Sequence, residues 1–156
     1  MDRLAYLSSL PRKRIAAAAL IRDQSDRVCL VKGNYRPDWH LPGGTIESDE
    51  SPADGCRREL LEELGLVIEL GRLLCVEWVK DAEDDEHGGI QLLYDGGVLD
   101  REAIERIVVP PDELDDVRFL APQDARPLIN DRNRRRIAYG LGALVDGGVL
   151  ELDRLP

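Results

Sequence analysis

The stretch that decides the fold is GTIESDESPADGCRRELLEELGL, which runs from Gly44 to Leu66. Ser51 is a favoured residue just before a helix, and Pro52 suits the first helical turn, where its missing N–H leaves nothing unbonded. Gly65 is a favoured residue just beyond a helix end. The stretch therefore predicts a helix that begins after Ser51 and ends at about Leu64.

Three glutamates of this helix, Glu59, Glu62 and Glu63, stand three and four residues apart. At about 100° per residue they project from one face, where like charges repel by roughly a few tenths of a kcal/mol per pair. Such a cluster alone is more often a solvated helix face. A divalent cation would remove the repulsion, and carboxylate oxygens are ligands that Mg²⁺ and Mn²⁺ accept well.

The neighbouring face of the helix is apolar. Its members are Ala53, Cys56, Leu60 and Leu64. A helix with this pattern can pack on a sheet while its carboxylates point into a cleft. Gly55 departs from the pattern, because a glycine inside a helix costs about 1 kcal/mol relative to alanine.

The glutamates belong to a longer frame, G-x5-E-x7-R-E-U-x-E-E-x-G-U, where U is a bulky aliphatic residue. All nine constrained positions are fulfilled between Gly44 and Leu66, and the segment WHLPGG, from Trp39 to Gly44, leads into them. The pattern resembles the signature of the Nudix hydrolase family, the Nudix box. The resemblance implies an α/β/α sandwich with a mixed central β-sheet, formed by one domain over residues 1–156.

The resemblance also implies roles for the matching residues. Glu59, Glu62 and Glu63 would bind Mg²⁺, or Mn²⁺, directly or through water, and the Gly43 carbonyl is a further candidate ligand. Arg58 would pair with a helix carboxylate. The implied reaction is attack of water on a phosphorus of a diphosphate linkage in a nucleotide derivative.

Glu50 has two readings of equal weight. It corresponds to the acid of the family frame that supports the loop, or it is a favourable charge near a helix N-terminus.

The general base stays open between a helix glutamate and an acid on a later loop. Glu113 is the loop candidate, because its turn precedes a predicted strand from Val117 to Leu120, although a surface acid is the commoner interpretation. Glu77 and the acidic run from Asp81 to Glu86 lie nearby in sequence. The run is typical of a solvated loop, with a mobile lid as the alternative.

Substrate identity is weakly indicated. Tyr35 or Trp39 could stack on a base, although an aromatic beside a Pro-Gly loop more often packs in the core. Arg14, Arg36 and the arginines between Arg132 and Arg136 could neutralise phosphates, although exposed arginines usually do nothing so specific.

The proline that ADP-ribose hydrolases of the family carry after the box is not evident, since Asp81 and Ala82 occupy that region. This favours a nucleoside triphosphate, possibly an oxidised one, or a related nucleotide, with ADP-ribose or a nucleotide sugar as alternatives. A non-catalytic nucleotide sensor is the main rival, but such relatives generally lose box acids. An isomerase would need a pocket cysteine, for which neither Cys56 nor Cys75 clearly qualifies.

Composition excludes several other classes. The chain has 156 residues, enough for one domain, and its net charge of −10 repels nucleic-acid backbones and anionic membranes. Its three cysteines match neither a zinc pattern nor a disulfide framework, so we expect reduced core residues. With no signal peptide and no apolar run of roughly 20 residues, we expect a cytoplasmic protein without membrane or nucleic-acid partners. Homodimerisation, common in the family, stays open.

The remaining chain predicts mostly strands. The expected features are a hairpin of Arg14 to Arg22 with Arg27 to Val31, a loop from Gly33 to Gly44, extended chain from Leu66 to Lys80 with a break at Gly71, a strand pair or one bent strand formed by Ile90 to Tyr94 and Gly97 to Leu99, and a helix from Asn130 to Val145.

Overall fold

The computed structural model describes residues 2–80 and 88–153. The helices are α1 (Arg3–Ser9), α2 (Pro52–Leu64), α3 (Arg101–Glu105), α4 (Pro122–Ala125) and α5 (Asp131–Asp146). The strands are β1 (Arg14–Asp23), β2 (Val28–Gly33), β3 (Gly43–Thr45), β4 (Leu73–Val79), β5 (Gly89–Leu99), β6 (Leu114–Leu120) and β7 (Leu150–Asp153).

All seven strands of the described residues form one sheet in the order β6-β2-β1-β5-β4-β7, with β3 also paired to β1. The β1–β5 and β4–β7 pairs are parallel, and the other pairs are antiparallel. The predicted mixed sheet is therefore confirmed.

Strand β1 is buried on both faces of the sheet, because successive side chains point to opposite sides. Ala17, Ala19 and Ile21 pack with Leu60 and Leu64 of α2 in one core cluster. The intervening Ala18 and Leu20 pack with Ile137 and Ala143 of α5 in the other. Helices thus cover both faces, which confirms the predicted α/β/α sandwich.

Helix α2 begins and ends as predicted. The Ser51 side chain accepts a hydrogen bond from the Asp54 N–H at 3.1 Å. At the other end Gly65 adopts φ 68°, in the left-handed region that favours glycine, and its N–H bonds the Leu61 carbonyl at 2.9 Å. Local capping chemistry therefore determines the position of the acidic helix.

The predicted loop from Gly33 to Gly44 is wrong at both ends, because Gly33 is the last residue of β2 and Gly43–Thr45 is a strand. A β-carbon at Gly43, where φ is 140°, would lie 2.2 Å from the Ala17 carbonyl oxygen, so only glycine allows β3 to approach β1 this closely. The extended chain after α2 becomes a strand only at Leu73. Of the two readings for the region around Ile90 to Leu99, the single bent strand is right.

The three cysteines are buried and free, as predicted. No helix among residues 2–80 and 88–153 is long and apolar enough to cross a membrane.

Candidate active site

A cleft of about 630 Å³ brings together acids from the box helix and from the later turn. Glu59, Glu62, Glu63 and Glu113 all line it, and we call these four residues the acidic wall. Four arginines also line the cleft: Arg14, Arg36, Arg132 and Arg136. The acids that the sequence singled out for metal binding and proton transfer therefore share one cavity with cationic groups suited to phosphate.

Glu63 is the most buried member of the acidic wall, at 5% exposure. Its Oε2 accepts a hydrogen bond from the Gly43 N–H at 2.8 Å. Burial raises the pKa of Glu63 to about 8, and the charges of Glu59 and Glu113 add to the rise, against the effect of the Gly43 hydrogen bond. In the absence of a cation, Glu63 is therefore harder to ionise than an exposed glutamate.

Arg58 organises the acids around it. Its guanidinium donates to both carboxylate oxygens of Glu50 at 2.7 and 3.1 Å, to Glu59 Oε1 at 2.9 Å, to Glu62 Oε2 at 3.1 Å and to the Thr45 carbonyl at 3.1 Å. The expected pairing with Glu62 is present, and the contact to Thr45 ties the helix to β3. One cation therefore sets the directions of two glutamates of the acidic wall.

Glu50 connects this network to the loop before α2. It accepts both bonds from Arg58 and a third from the Glu47 N–H at 2.9 Å. Its hydrogen bonds with Arg58 lower the pKa of Glu50. These contacts match the loop-supporting interpretation rather than that of a helix-end charge alone.

Two glycines make room for the network. A β-carbon at Gly44 would lie 2.4 Å from Glu59 Cδ, and one at Gly55 would lie 2.5 Å from Glu50 Oε1 and 2.6 Å from Ile46 Cδ1. Real side chains do not approach so closely. Gly55, which looked only unfavourable for a helix, therefore leaves space for the carboxylate that holds Arg58.

The acidic wall offers oxygen atoms to a cation but does not form a closed cage. Within residues 2–80 and 88–153, no three His, Cys, Asp or Glu side chains converge as a preformed metal site. Glu59, Glu62 and Glu63 each use one oxygen in the bonds described, and each keeps a second oxygen with no hydrogen bond in the described chain. Carboxylate oxygens are the ligands that divalent cations such as Mg²⁺ and Mn²⁺ bind, a few at a time together with water.

Gly43 contacts the acidic wall through its N–H. Its carbonyl as a metal ligand stays a prediction.

A family model described as the NUDIX domain matches residues 12–139. The chain belongs to the Nudix hydrolase family. Over 64 residues this Nudix chain is 42% identical to diphosphoinositol polyphosphate phosphohydrolase 2 of Rattus norvegicus, across 40% of this chain and 36% of that protein. The chain thus spans about a third of the length of the curated relatives it matches.

Solved structures share the fold of this Nudix domain. The MutT protein of Methanosarcina mazei Go1 superposes with a TM-score of 0.71 at 22% identity, over 87% of this chain and 99% of that one. The MutT NUDIX hydrolase of Burkholderia pseudomallei gives 0.69 at 26% identity, over 82% and 98%. These similarities agree with the sandwich and with the family.

The two aromatic candidates for base stacking differ in burial in the Nudix structure. Trp39 is 8% exposed and packs in the core, with the Arg118 guanidinium 4.9 Å from its ring centroid. Tyr35 is 67% exposed and lines the cleft. Packing is therefore the right interpretation for Trp39, and Tyr35 keeps the stacking role as a prediction.

The arginines between Arg132 and Arg136 also differ in position and in partners. Arg132 lines the cleft, whereas Arg134 donates to the Arg126 carbonyl and to Asp131. Arg136 lines the cleft too, but its Nε donates to Glu77 Oε2 at 2.5 Å and a terminal nitrogen donates to Gln91. Glu77 is therefore part of a buried ion pair with Arg136. This pairing favours a structural role for Glu77 over a role as general base.

The acidic run from Asp81 to Glu86 lies outside the described residues. Two residues that line the cleft, His40 and Asn133, had no role in the sequence interpretation, although both are at least nine-tenths buried. The one available signal for His40 was a polar residue inside the apolar WHLPGG segment. Asn133 gave no signal beyond its place in a helix rich in polar residues.

Proposed function

We propose that this chain is a divalent-metal-dependent hydrolase that cleaves a diphosphate linkage in a nucleotide or a similarly phosphorylated small molecule. The observation that carries the proposal is the acidic wall, where Glu59, Glu62 and Glu63 each present one oxygen free of hydrogen bonds to a cleft that arginines also line. Family membership supports the same reaction class.

In this proposal Glu59, Glu62 and Glu63 hold Mg²⁺ or Mn²⁺. A cation bound by these residues would neutralise charge on the phosphate and lower the pKa of a bound water. Arg58 keeps Glu59 and Glu62 oriented, and the Gly43 N–H keeps Glu63 oriented. These contacts fix the carboxylates before substrate arrives, which is the main task of a protein in phosphoryl transfer.

A base must also accept the proton of the attacking water. Glu113 is our candidate, because it comes from a different element from the helix glutamates and lines the same cleft. A helix glutamate is the alternative. Loss of activity in Glu113→Gln with normal metal binding would favour Glu113, whereas normal activity in that variant would favour the helix.

The substrate class divides into two candidates. A nucleoside triphosphate, or a related nucleotide, is the first, with the exposed Tyr35 available to stack on a base. A diphosphoinositol polyphosphate is the second, favoured by the similarity to the rat phosphohydrolase and by the four arginines at the cleft. Both contain the diphosphate linkage that the proposal requires.

A substrate panel tests the proposal directly. Nucleoside triphosphates, oxidised nucleotides, ADP-ribose, nucleotide sugars and a diphosphoinositol polyphosphate are each incubated with Mg²⁺ or with EDTA, and the products are identified by mass. We expect cleavage of one class, lost in EDTA. Binding without cleavage across the panel would favour the nucleotide-sensor alternative.

Variants of the acidic wall test the assignment of the metal site. We expect Glu62→Gln and Glu63→Gln to abolish metal-dependent turnover, because each removes a charged ligand, while far-ultraviolet circular dichroism stays unchanged. Glu69→Gln is the matched control, since Glu69 is exposed and does not line the cleft. Wild-type rates in both box variants would refute the assignment.

A further inference from the structure

His40 is a buried side chain with one polar atom that has no partner. It is 7% exposed, and its Nδ1 lies 3.0 Å from the Leu41 carbonyl oxygen. Its Nε2 is buried without a hydrogen bond in the described residues. Because a carbonyl only accepts, Nδ1 carries the hydrogen and Nε2 keeps a lone pair. A buried acceptor without a donor costs free energy, so its presence needs a reason.

The position of His40 between two cavities supplies a reason for this buried acceptor. The cleft adjoins a second recess of about 530 Å³, and His40 lines both. Four other residues line both cavities as well: Arg36, Asn130, Arg132 and Asn133. We call these five residues the shared wall. A ligand that extends from the acidic wall toward the recess therefore passes His40.

An exposed side chain stands beside the unpartnered atom. A β-carbon at Gly33 would lie 3.1 Å from the Tyr35 ring and 3.4 Å from His40 Nε2, so both groups meet at this glycine. Tyr35 is 67% exposed and has room to rotate. We expect a rotation of this side chain, without a change in the backbone, to open Nε2 to a ligand at the cleft.

Asn133 adds a second hydrogen-bonding group to the shared wall. It is 4% exposed, and its backbone N–H bonds Asn130 Oδ1 at 3.0 Å. The structure shows no hydrogen bond from its side-chain carboxamide to any described residue. A carboxamide both donates and accepts, so it complements the acceptor of His40.

We propose that His40 and Asn133 form a specificity subsite that binds an N–H or O–H donor on the organic part of the substrate and thereby selects a nucleotide. The proposal rests on the proposed function and identifies its substrate class. An ionised phosphate brings only lone pairs to Nε2, and an inositol whose hydroxyls are all esterified has no donor there. A nucleobase edge or a ribose hydroxyl does.

The charge state of His40 is consistent with this role. Burial lowers the pKa of the imidazole, and the nearby charges of Arg36 and Lys32 lower it further, against the hydrogen bond to Leu41. The ring is therefore neutral at pH 7 and keeps its lone pair.

Binding of nucleoside monophosphates in EDTA, measured by calorimetry, tests the subsite apart from catalysis. We expect His40→Phe to weaken binding about tenfold, the effect of one lost hydrogen bond, while His40→Gln stays near wild type because its amide oxygen restores an acceptor. Inorganic pyrophosphate should bind all three proteins equally. Equal nucleotide affinity in the wild type and His40→Phe, or no nucleotide binding to the wild type, would overturn the proposal.

Asn133→Ala is a second variant, which keeps the test valid if His40→Phe does not fold. Its thermal unfolding is compared with that of the wild type, and we expect weaker nucleotide binding with unchanged pyrophosphate binding. Unchanged nucleotide binding in a folded Asn133→Ala protein would remove Asn133 from the subsite.

Ribose 5-phosphate distinguishes the two sources of the donor. If His40→Phe weakens its binding as it weakens nucleotide binding, a hydroxyl is the donor, and if only the nucleotide is affected, the base is the donor. Both results support the subsite. Nucleotide binding that depends on His40, without cleavage in the substrate panel, would refute the proposed function and leave the subsite intact.

Discussion

Arg58 and Arg136 both bind glutamates near the cleft, but in different surroundings. The Arg58 side chain is 27% exposed and is shared among three carboxylates, whereas that of Arg136 is 8% exposed and binds Glu77, itself 5% exposed. Water screens the first network, so its carboxylates can exchange partners and accept a cation. The second network is sheltered from water. Removal of one of its charges leaves the other buried without compensation, which costs free energy of folding. Under the proposed function, the Arg58 network orients metal ligands, whereas the Arg136 pair stabilises the fold.

The largest expected effect comes from the buried pair. We expect Arg136→Met to lower the free energy of unfolding by about 3–5 kcal/mol, because the Glu77 carboxylate stays buried after the guanidinium is removed. Urea unfolding gives the value. The double variant Arg136→Met, Glu77→Leu should lose much less, because neither charge remains. Equal losses in the single and double variants would contradict this account of the pair.

A smaller change in the free energy of unfolding is expected at Gly55, which packs against the Arg58 network. Helix propensity alone predicts that Gly55→Ala stabilises the protein by about 1 kcal/mol. The structure predicts the opposite, a loss of about 1–3 kcal/mol, because the added methyl group meets Ile46 at 2.6 Å and Glu50 Oε1 at 2.5 Å. Glu50 Oε1 cannot move away without losing its bonds to Arg58 and to the Glu47 N–H. Urea unfolding decides between the two. Gly142→Ala is the matched control, since nothing outside the backbone of its own helix and its chain neighbours lies within 4 Å of the added carbon.

The smallest change in stability is expected for Arg58→Gln. Partly exposed ion pairs contribute about 0–1 kcal/mol each after screening, so unfolding should change little. Metal-dependent turnover should fall by roughly 10–100-fold, because Glu59 and Glu62 lose the group that orients them. The measurement is turnover at saturating Mg²⁺ beside urea unfolding. A stability loss as large as that of Arg136→Met would erase the contrast between the two arginines.

Arg101→Gln provides the baseline for Arg58→Gln. Arg101 forms a surface pair with Glu105, and its side chain is 89% exposed. We expect unchanged stability and unchanged turnover. Any loss of turnover in this variant would mean that the effect at Arg58 is not specific to the site.

The features that could be predicted from sequence are those that depend on nearby residues. Helix α2 follows from Ser51, Pro52 and Gly65, and the spacing of the glutamates along it sets the face they share. The α/β/α class followed from the box through family resemblance. Strand β3 could not be predicted, because Gly43 is extended only through pairing with Ala18, far from it in the chain.

Prediction of the details of the site was limited in the same way, because they depend on residues that are far apart in the chain. Sequence spacing indicated the three helix glutamates of the acidic wall. The structure places Glu113 at the same cleft, and its role as a base stays a prediction. Sequence spacing could not show that Trp39 is buried and Tyr35 exposed, because the exposure of each ring depends on what packs over it. It could not identify the partner of Arg136 either, since Glu77 comes from β4 and meets α5 only in the folded sheet.

The parallel pairing of β1 with β5 has a consequence for the order of folding. Ile15 pairs with Ile90, 75 positions further along the chain, and closing so long a loop costs entropy before any contact repays it. Ala17 and Gln91, from these two strands, both line the cleft. During synthesis, a chain that has emerged only as far as Leu66 therefore carries every residue of the Nudix box, with no cleft yet in which to place them.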